Sequence, residues 1–159
     1  IGNRVRFHEN LIAAGRRPEK RMLALGERAA TIGEAQALQI EVGNPVCAYH
    51  GLSLADGQPI AVFESLFPIL RLPRITAALT ETSSVTRALS IAGIDDYTRA
   101  STRLTAVRAT ATHALLLNVG EGDPLLRSSS VNTCAIGKPV EYGRTWFAGD
   151  RVTLTLEDQ

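Results

Sequence analysis

The chain has 159 residues, a formal net charge of +1 at pH 7, 45% hydrophobic and 21% charged residues, a composition suited to one globular domain that buries its own core. Near-neutral charge excludes a chain that grips a nucleic-acid backbone by itself, which takes a strongly basic footprint. No apolar run approaches the roughly 18 residues of a membrane span and no signal segment opens the chain, so no membrane contact and a cytoplasmic location are expected.

In chain order, Phe7, Leu11 and Ala14 recur at helical spacing, with Gly15 as a left-handed cap and Pro18 barring continuation. Ala35, Leu38 and Val42 mark a second short helix broken by Gly43-Asn44-Pro45. Val46, Ala48, His50, Leu52 and Leu54 then alternate with smaller or polar residues, Ala55-Asp56-Gly57-Gln58 supplies a turn, and Ile60, Val62, Glu64 and Leu66 alternate again, which predicts an antiparallel hairpin ended by Pro68 and Pro73. Ser84 as N-cap, Val85, Ala88, Leu89 and Ala92, and Gly93 as stop describe a further helix. Tyr97 to Val107 reads as a strand with one wet face. A short Ala/Leu helix with Thr112 as cap follows, and from Leu125 come three strand-like stretches separated by Ile136-Gly137-Lys138-Pro139 and Ala148-Gly149-Asp150. No internal repeat and no linker are expected, so the reading is a single α+β domain with an antiparallel sheet flanked by short helices. Turns this short cannot carry parallel crossovers.

Few residues suggest chemistry. Glu64 shares a strand face with Ile60, Val62 and Leu66, where a carboxylate is costly unless it is paired or meets a ligand. An ion pair with an arginine is the structural alternative. Glu141 shares a face with Gly143, Thr145 and Phe147, an acid and an aromatic able to bracket a polar ligand, although a solvated sheet face has the same pattern. Arg99 and Arg103 are expected on one strand face, two guanidinium forks for an oxyanion. Ser84 with the amides of Val85 to Arg87, and Thr86 beside it, could meet the same anion, or Ser84 only caps its helix. Phe7 and His8 open the first helix. His50 reads as a core histidine, and three scattered histidines define no triad. Cys47 and Cys134 are too few for a disulfide framework or zinc site and read as buried hydrophobes. Only Lys20 and Lys138 of the 17 basic residues are lysines, and Arg is the side chain that holds oxyanions bidentately. No metal or cofactor and no enzyme are called for.

The ordered series Arg6-Phe7 before Gly15 and Pro18, Gly33-Glu34-Ala35 with Leu38, Leu54-Ala55-Asp56-Gly57-Gln58-Pro59-Ile60 with Glu64 and Pro68, Ser84-Val85-Thr86-Arg87-Ala88-Leu89, Leu116-Leu117 with Pro124-Leu125, and Gly137-Lys138-Pro139-Val140-Glu141-Tyr142 through Asp150-Arg151-Val152 resembles the UTRA effector-binding domain of GntR-superfamily transcription regulators of the HutC branch. Asp96-Tyr97-Thr98-Arg99 with Thr102-Arg103 looks most like the phosphonate-metabolism, PhnF-like members. The resemblance implies a chorismate lyase-like fold, a homodimer, a small anionic effector bearing phosphonate or phosphate, and operator DNA bound only through an N-terminal winged helix-turn-helix domain that this chain, which begins at Ile1 and reads as a processed or excised fragment, does not contain. It also implies ligand contacts from Glu64, Ser84 and Glu141. Many sugar-phosphate-sensing relatives hold the effector phosphate with two arginines just before the Ala-Asp-Gly turn; here those positions are Gly51 and Ser53, which leaves Ser53 as a weaker donor and Arg99, Arg103 or Arg87 as substitutes. A small lyase of the chorismate lyase type and a ligand-free dimerisation module are the alternatives.

Overall fold

The structure, a computed structural model, describes residues 16–155. Along these residues run β1 (Pro18–Ala29), α1 (Ile32–Leu38), β2 (Pro45–Ala55), β3 (Gln58–Pro68), α2 (Ile75–Glu81), α3 (Val85–Ile91), β4 (Tyr97–Arg108), α4 (Ala111–Leu117), β5 (Pro124–Cys134) and β6 (Pro139–Ala148). The strands form one sheet in the order β1-β2-β3-β6-β5-β4, with every neighbouring pair antiparallel. The expected α+β class and hairpins are present, and Asp56 (φ 50°) and Gly57 (φ 79°) make the tight turn between β2 and β3 that an Asp-Gly pair favours.

The expectation of no internal repeat is corrected. The chain builds one unit twice, strand, helix, then hairpin, as β1-α1-β2-β3 and again as β4-α4-β5-β6. Ala30-Thr31, Ala35, Leu38, Gly43 and Pro45 recur as Ala109-Thr110, Ala114, Leu117, Gly122 and Pro124. Thr31 and Thr110 cap their helices by accepting from the amides of Glu34 and His113, and Gln39 and Asn118 end them with left-handed backbone at φ 54°. Each hairpin carries a bulge at the matching place, between Ser53/Leu54 and between Asn132/Thr133. Two arginines lock the repeat across the middle. Arg71 donates to the carbonyls of Leu38, Gln39 and Pro139, and Arg151 donates to those of Leu117, Asn118 and Pro59, satisfying orphan helix-end acceptors with charged donors.

The sheet buries both faces. On one, α2 and α3 cover Cys47, Tyr49, Phe63 and Phe67 with Ile75, Leu79, Ala88 and Leu89. On the other, α1 packs on Val46, Ala48 and Leu66, and α4 on Leu52, Leu54, Val62 and Leu125. Burial of such apolar area contributes on the order of 25 cal/mol per Å².

Local expectations differ from the structure in several places. β1 and α2 were not foreseen: most of β1 is an exposed edge, so it carries no alternating pattern, and α2 is only seven residues with no side-chain cap. Helix α1 stops at Leu38, leaving Val42 61% exposed in the loop. Thr110 rather than Thr112 caps α4. Residues 152–155 form no third strand after β5 and β6. The helix expected over Phe7 to Ala14 lies outside the described residues. Cys47 is buried and Cys134 half-buried, both free thiols, and burial raises the Cys47 pKa.

Candidate functional site

A cavity of about 830 Å³ opens between the sheet and the start of α3. Strand alternation decides what lines it. Phe63 and Ser65 of β3 and Glu141, Gly143, Thr145 and Phe147 of β6 form its floor, with Ser128, Ser130 and Asn132 of β5 beside them. Arg99 and Thr102 reach it from β4, Lys20 and Ser53 from β1 and β2, and Ser84 and Thr86 from the cap and first turn of α3. Tyr49 donates its hydroxyl to the Ser83 carbonyl at 3.2 Å, tying the sheet to the loop that presents Ser84. Thr86 Oγ1 and Tyr97 Oη are hydrogen-bonded at 2.9 Å. The Ser84 side chain accepts from the Arg87 amide, so it does serve as the helix cap.

Hydroxyl-bearing side chains are the commonest polar lining, and the charged groups among the described residues are only Glu19, Lys20, Arg99 and Glu141. Arg99 Nε donates to Asn132 Oδ1 at 3.2 Å, and Asn132 Nδ2 donates to Glu141 Oε1 at 2.8 Å. Asn132 is 5% and Glu141 9% exposed. The matching positions of the first unit are Lys20, paired with Ser53 in the sheet register as Arg99 is with Asn132, and Ala61 opposite Ser53 as Glu141 is opposite Asn132. Two cations therefore approach from the two edge strands; the exposed Glu19 of β1 also lines the cavity, but the buried carboxylate, Glu141, has only Ala61 at the equivalent position of the first unit. Lys20 Nζ lies 5.4 Å from the centroid of the Phe63 ring, a cation–π geometry.

Of the sequence candidates, Ser53, Ser84, Thr86, Arg99, Glu141 and Phe147 stand on the walls of this cavity. Phe7 and His8 lie outside the described residues. Glu64 and Arg103 do not reach the cavity. Arg99 and Arg103 were expected on one face, but a bulge between Arg99 and Ser101 shifts the register, so Arg99 and Thr102 face the cavity and Arg103, opposite Ser129, is turned to the other side. Glu64 points away because its neighbours Phe63 and Ser65 take the cavity face; β3 is buried on both faces, so burial could not choose between them. Lys20 escaped notice because its edge strand has no pattern, and the signal that would have found it is its equivalence to Arg99 in the repeat. A side chain at Gly51 would require the Phe63 ring to move, since a Cβ there would overlap it. The aromatic occupies the space that an arginine at that position would need.

Glu64 belongs instead to an ion cluster on the opposite face. Arg144 donates to Glu64, and His50 Nε2 lies 3.0 Å from Glu64 Oε2. Arg28 holds Glu34 bidentately at 2.7 and 2.8 Å, while Glu34 Oε1 also accepts from the Thr31 amide at 2.9 Å. The Arg28 guanidinium is the main cause that lowers the Glu34 pKa to about 2, opposed by burial and assisted by the Thr31 amide. His50, expected in the core, has a side chain 40% exposed. Among the described residues no three His, Cys, Asp or Glu side chains group as a metal site, and no helix is long and apolar enough to cross a membrane.

Comparison with known proteins agrees with this architecture. The chain is 35% identical over 157 residues to the uncharacterized HTH-type transcriptional regulator RB1450 of Rhizobium meliloti (strain 1021), covering 99% of this chain and 64% of that protein. This chain thus spans less than two thirds of that relative. The crystal structure of the effector domain of PhnF from Mycobacterium smegmatis superposes with a TM-score of 0.84 at 23% identity, covering 100% of this chain and 97% of that one. A GntR-family transcriptional regulator from Bacillus cereus gives 0.78 at 19% identity, covering 89% and 99%. These two likenesses establish the fold, the chorismate lyase-like one, and the proteins named are transcription regulators or parts of them rather than lyases. A family model described as the UTRA domain matches residues 13–153, and the chain belongs to that family.

Proposed function

We propose that this chain is the effector-sensing part of a transcription regulator and that its effector, a small metabolite bearing phosphonate or phosphate, occupies the cavity between the sheet and α3. The observation that carries this reading is the pair of cations at the cavity: among the described residues neither Arg99 nor Lys20 has a carboxylate partner, although hydroxyls surround both. A guanidinium with its outer nitrogens unspent fits an oxyanion. Lys20, Ser53, Ser84, Thr86, Arg99, Glu141 and Phe147 are the contacts assigned to the ligand. The protein acts as a homodimer, with operator DNA held by a separate N-terminal domain. The likeness to the PhnF effector domain supports the phosphonate class.

Thermal unfolding in the presence of inorganic phosphate, methylphosphonate and ethylphosphonate tests the reading, because a ligand that binds only the folded state raises Tm with concentration. A saturable rise that is lost in Arg99→Gln is expected. No rise with any of the three overturns the oxyanion assignment.

A further inference from the structure

The proposed oxyanion leaves one group at the cavity unexplained. Glu141 is buried, with 9% of its surface exposed, and a carboxylate so placed is costly unless it is compensated. Its Oε1 accepts from Asn132, whereas Oε2 meets no donor among the described residues. A cation is close at hand in Arg99, yet the two do not pair. Asn132 stands between them, its amide oxygen taken by Arg99 and its amide nitrogen by Glu141. One neutral amide therefore holds a guanidinium and a carboxylate on the order of 8 Å apart at most, each with bonding capacity turned to the same cavity. A pure anion would be repelled by Glu141. A neutral polyol would leave both charges uncompensated.

We infer that the effector is zwitterionic: a short molecule whose primary amine meets Glu141 Oε2 and whose oxyanion meets Arg99. The inference rests on the reading given under Proposed function and narrows it. The repeat sharpens the point, because the first unit has the cation, Lys20, and a neutral residue, Ser53, at the equivalent places but Ala61 where the second unit has Glu141. The carboxylate is not a requirement of the fold. An acid at this position has a ligand-directed role, and the amine end of the effector is assigned to the β5–β6 side of the cavity.

Isothermal titration with two matched pairs, 2-aminoethylphosphonate against ethylphosphonate and O-phosphoethanolamine against ethyl phosphate, reads the contribution of the amine directly and separates phosphonate from phosphate ester as the oxyanion source. The amine-bearing member of a pair is expected to bind about tenfold tighter or more, the range of one charge-assisted contact. In Glu141→Gln, which keeps an oxygen for Asn132, the ratio should fall to within about twofold while the amine-free ligand binds at least as well as before. In Arg99→Gln both members should weaken together with the ratio preserved. Binding of the amine-free ligands with no gain from the amine, or a gain that survives Glu141→Gln, overturns the zwitterion and leaves the oxyanion reading standing. Absence of binding by all four ligands overturns both.

Discussion

The two units of the repeat share a backbone plan and diverge in the chemistry hung on it. In the first, helix α1 presents Glu34 to Arg28 and Arg144, an ionic seam. In the second, the equivalent position of α4 is His113, packed on Trp146 with ring centroids 4.6 Å apart, an aromatic seam. On the cavity side Lys20, Ser53 and Ala61 answer to Arg99, Asn132 and Glu141. The features kept in both copies are those that close backbone hydrogen bonds, namely the threonine caps, the left-handed helix ends, the hairpin bulges and the two arginine clasps. The features that differ are side-chain charges, which the fold tolerates and a ligand can select.

The clasps give the largest expected effect. Arg71→Ala and Arg151→Ala each remove charge-assisted bonds to three carbonyls, and each should lower unfolding free energy by about 3 kcal/mol. Urea denaturation of the two variants should agree within about 1 kcal/mol; a loss in one alone would break the equivalence of the units.

Acid distinguishes the seams. The Glu34 carboxyl titrates lower when folded, about 2 against an ordinary 4.5, so the stability it contributes is complete above pH 4.5 and is lost as pH falls toward 2. Arg28 is 38% exposed at its side chain, and with solvent screening the loss is about 2 kcal/mol. Burial lowers the His113 pKa, so a neutral imidazole is favoured in the folded state and its contribution declines once pH falls below 6.5. Stability measured from pH 8 to 2 should therefore fall in two stages. Glu34→Gln should remove the lower stage and His113→Phe the upper; variants whose profiles keep both stages would refute the assignment.

Smallest is the cap comparison. Thr31→Ala and Thr110→Ala each leave a helix amide without its side-chain acceptor and should cost about 1 kcal/mol. Thermal melts would resolve it, and a cost at one end only would show that the two helices depend on their caps unequally.

How much of this is written in the sequence varies with the kind of signal. The β2–β3 hairpin is legible because alternation and an Asp-Gly turn point the same way, and β6 because Glu141, Gly143, Thr145 and Phe147 keep strict period two to the cavity floor. β1 is illegible because an edge strand wet on most of its length needs no apolar period. Arg103 was misplaced because the bulge after Arg99 adds one residue and reverses every later side chain, which no residue type there announces. Glu64 takes the ion-pair alternative rather than the cavity, and the sequence leaves the two open because a strand buried on both sides offers two interiors. The repeat itself hides behind short identities, Ala-Thr, Gly-x-Pro and single Ala and Leu positions, each common alone and meaningful only as an ordered set.

Glu64 and Arg144 face one another across the central β3–β6 pair and hold equivalent places in their units, so they straddle the pseudo-twofold axis of the repeat. Two identical copies meeting about such an axis must present the same residue to itself there. A carboxylate would then face a carboxylate, or a guanidinium a guanidinium. Joining both units in one chain removes that constraint, because the two sides of the axis can be spelled independently. An opposite-charge pair at the axis is thus an arrangement open to the covalently joined protein and closed to any symmetric pair of its halves, and it gives the central seam a polarity that distinguishes left from right.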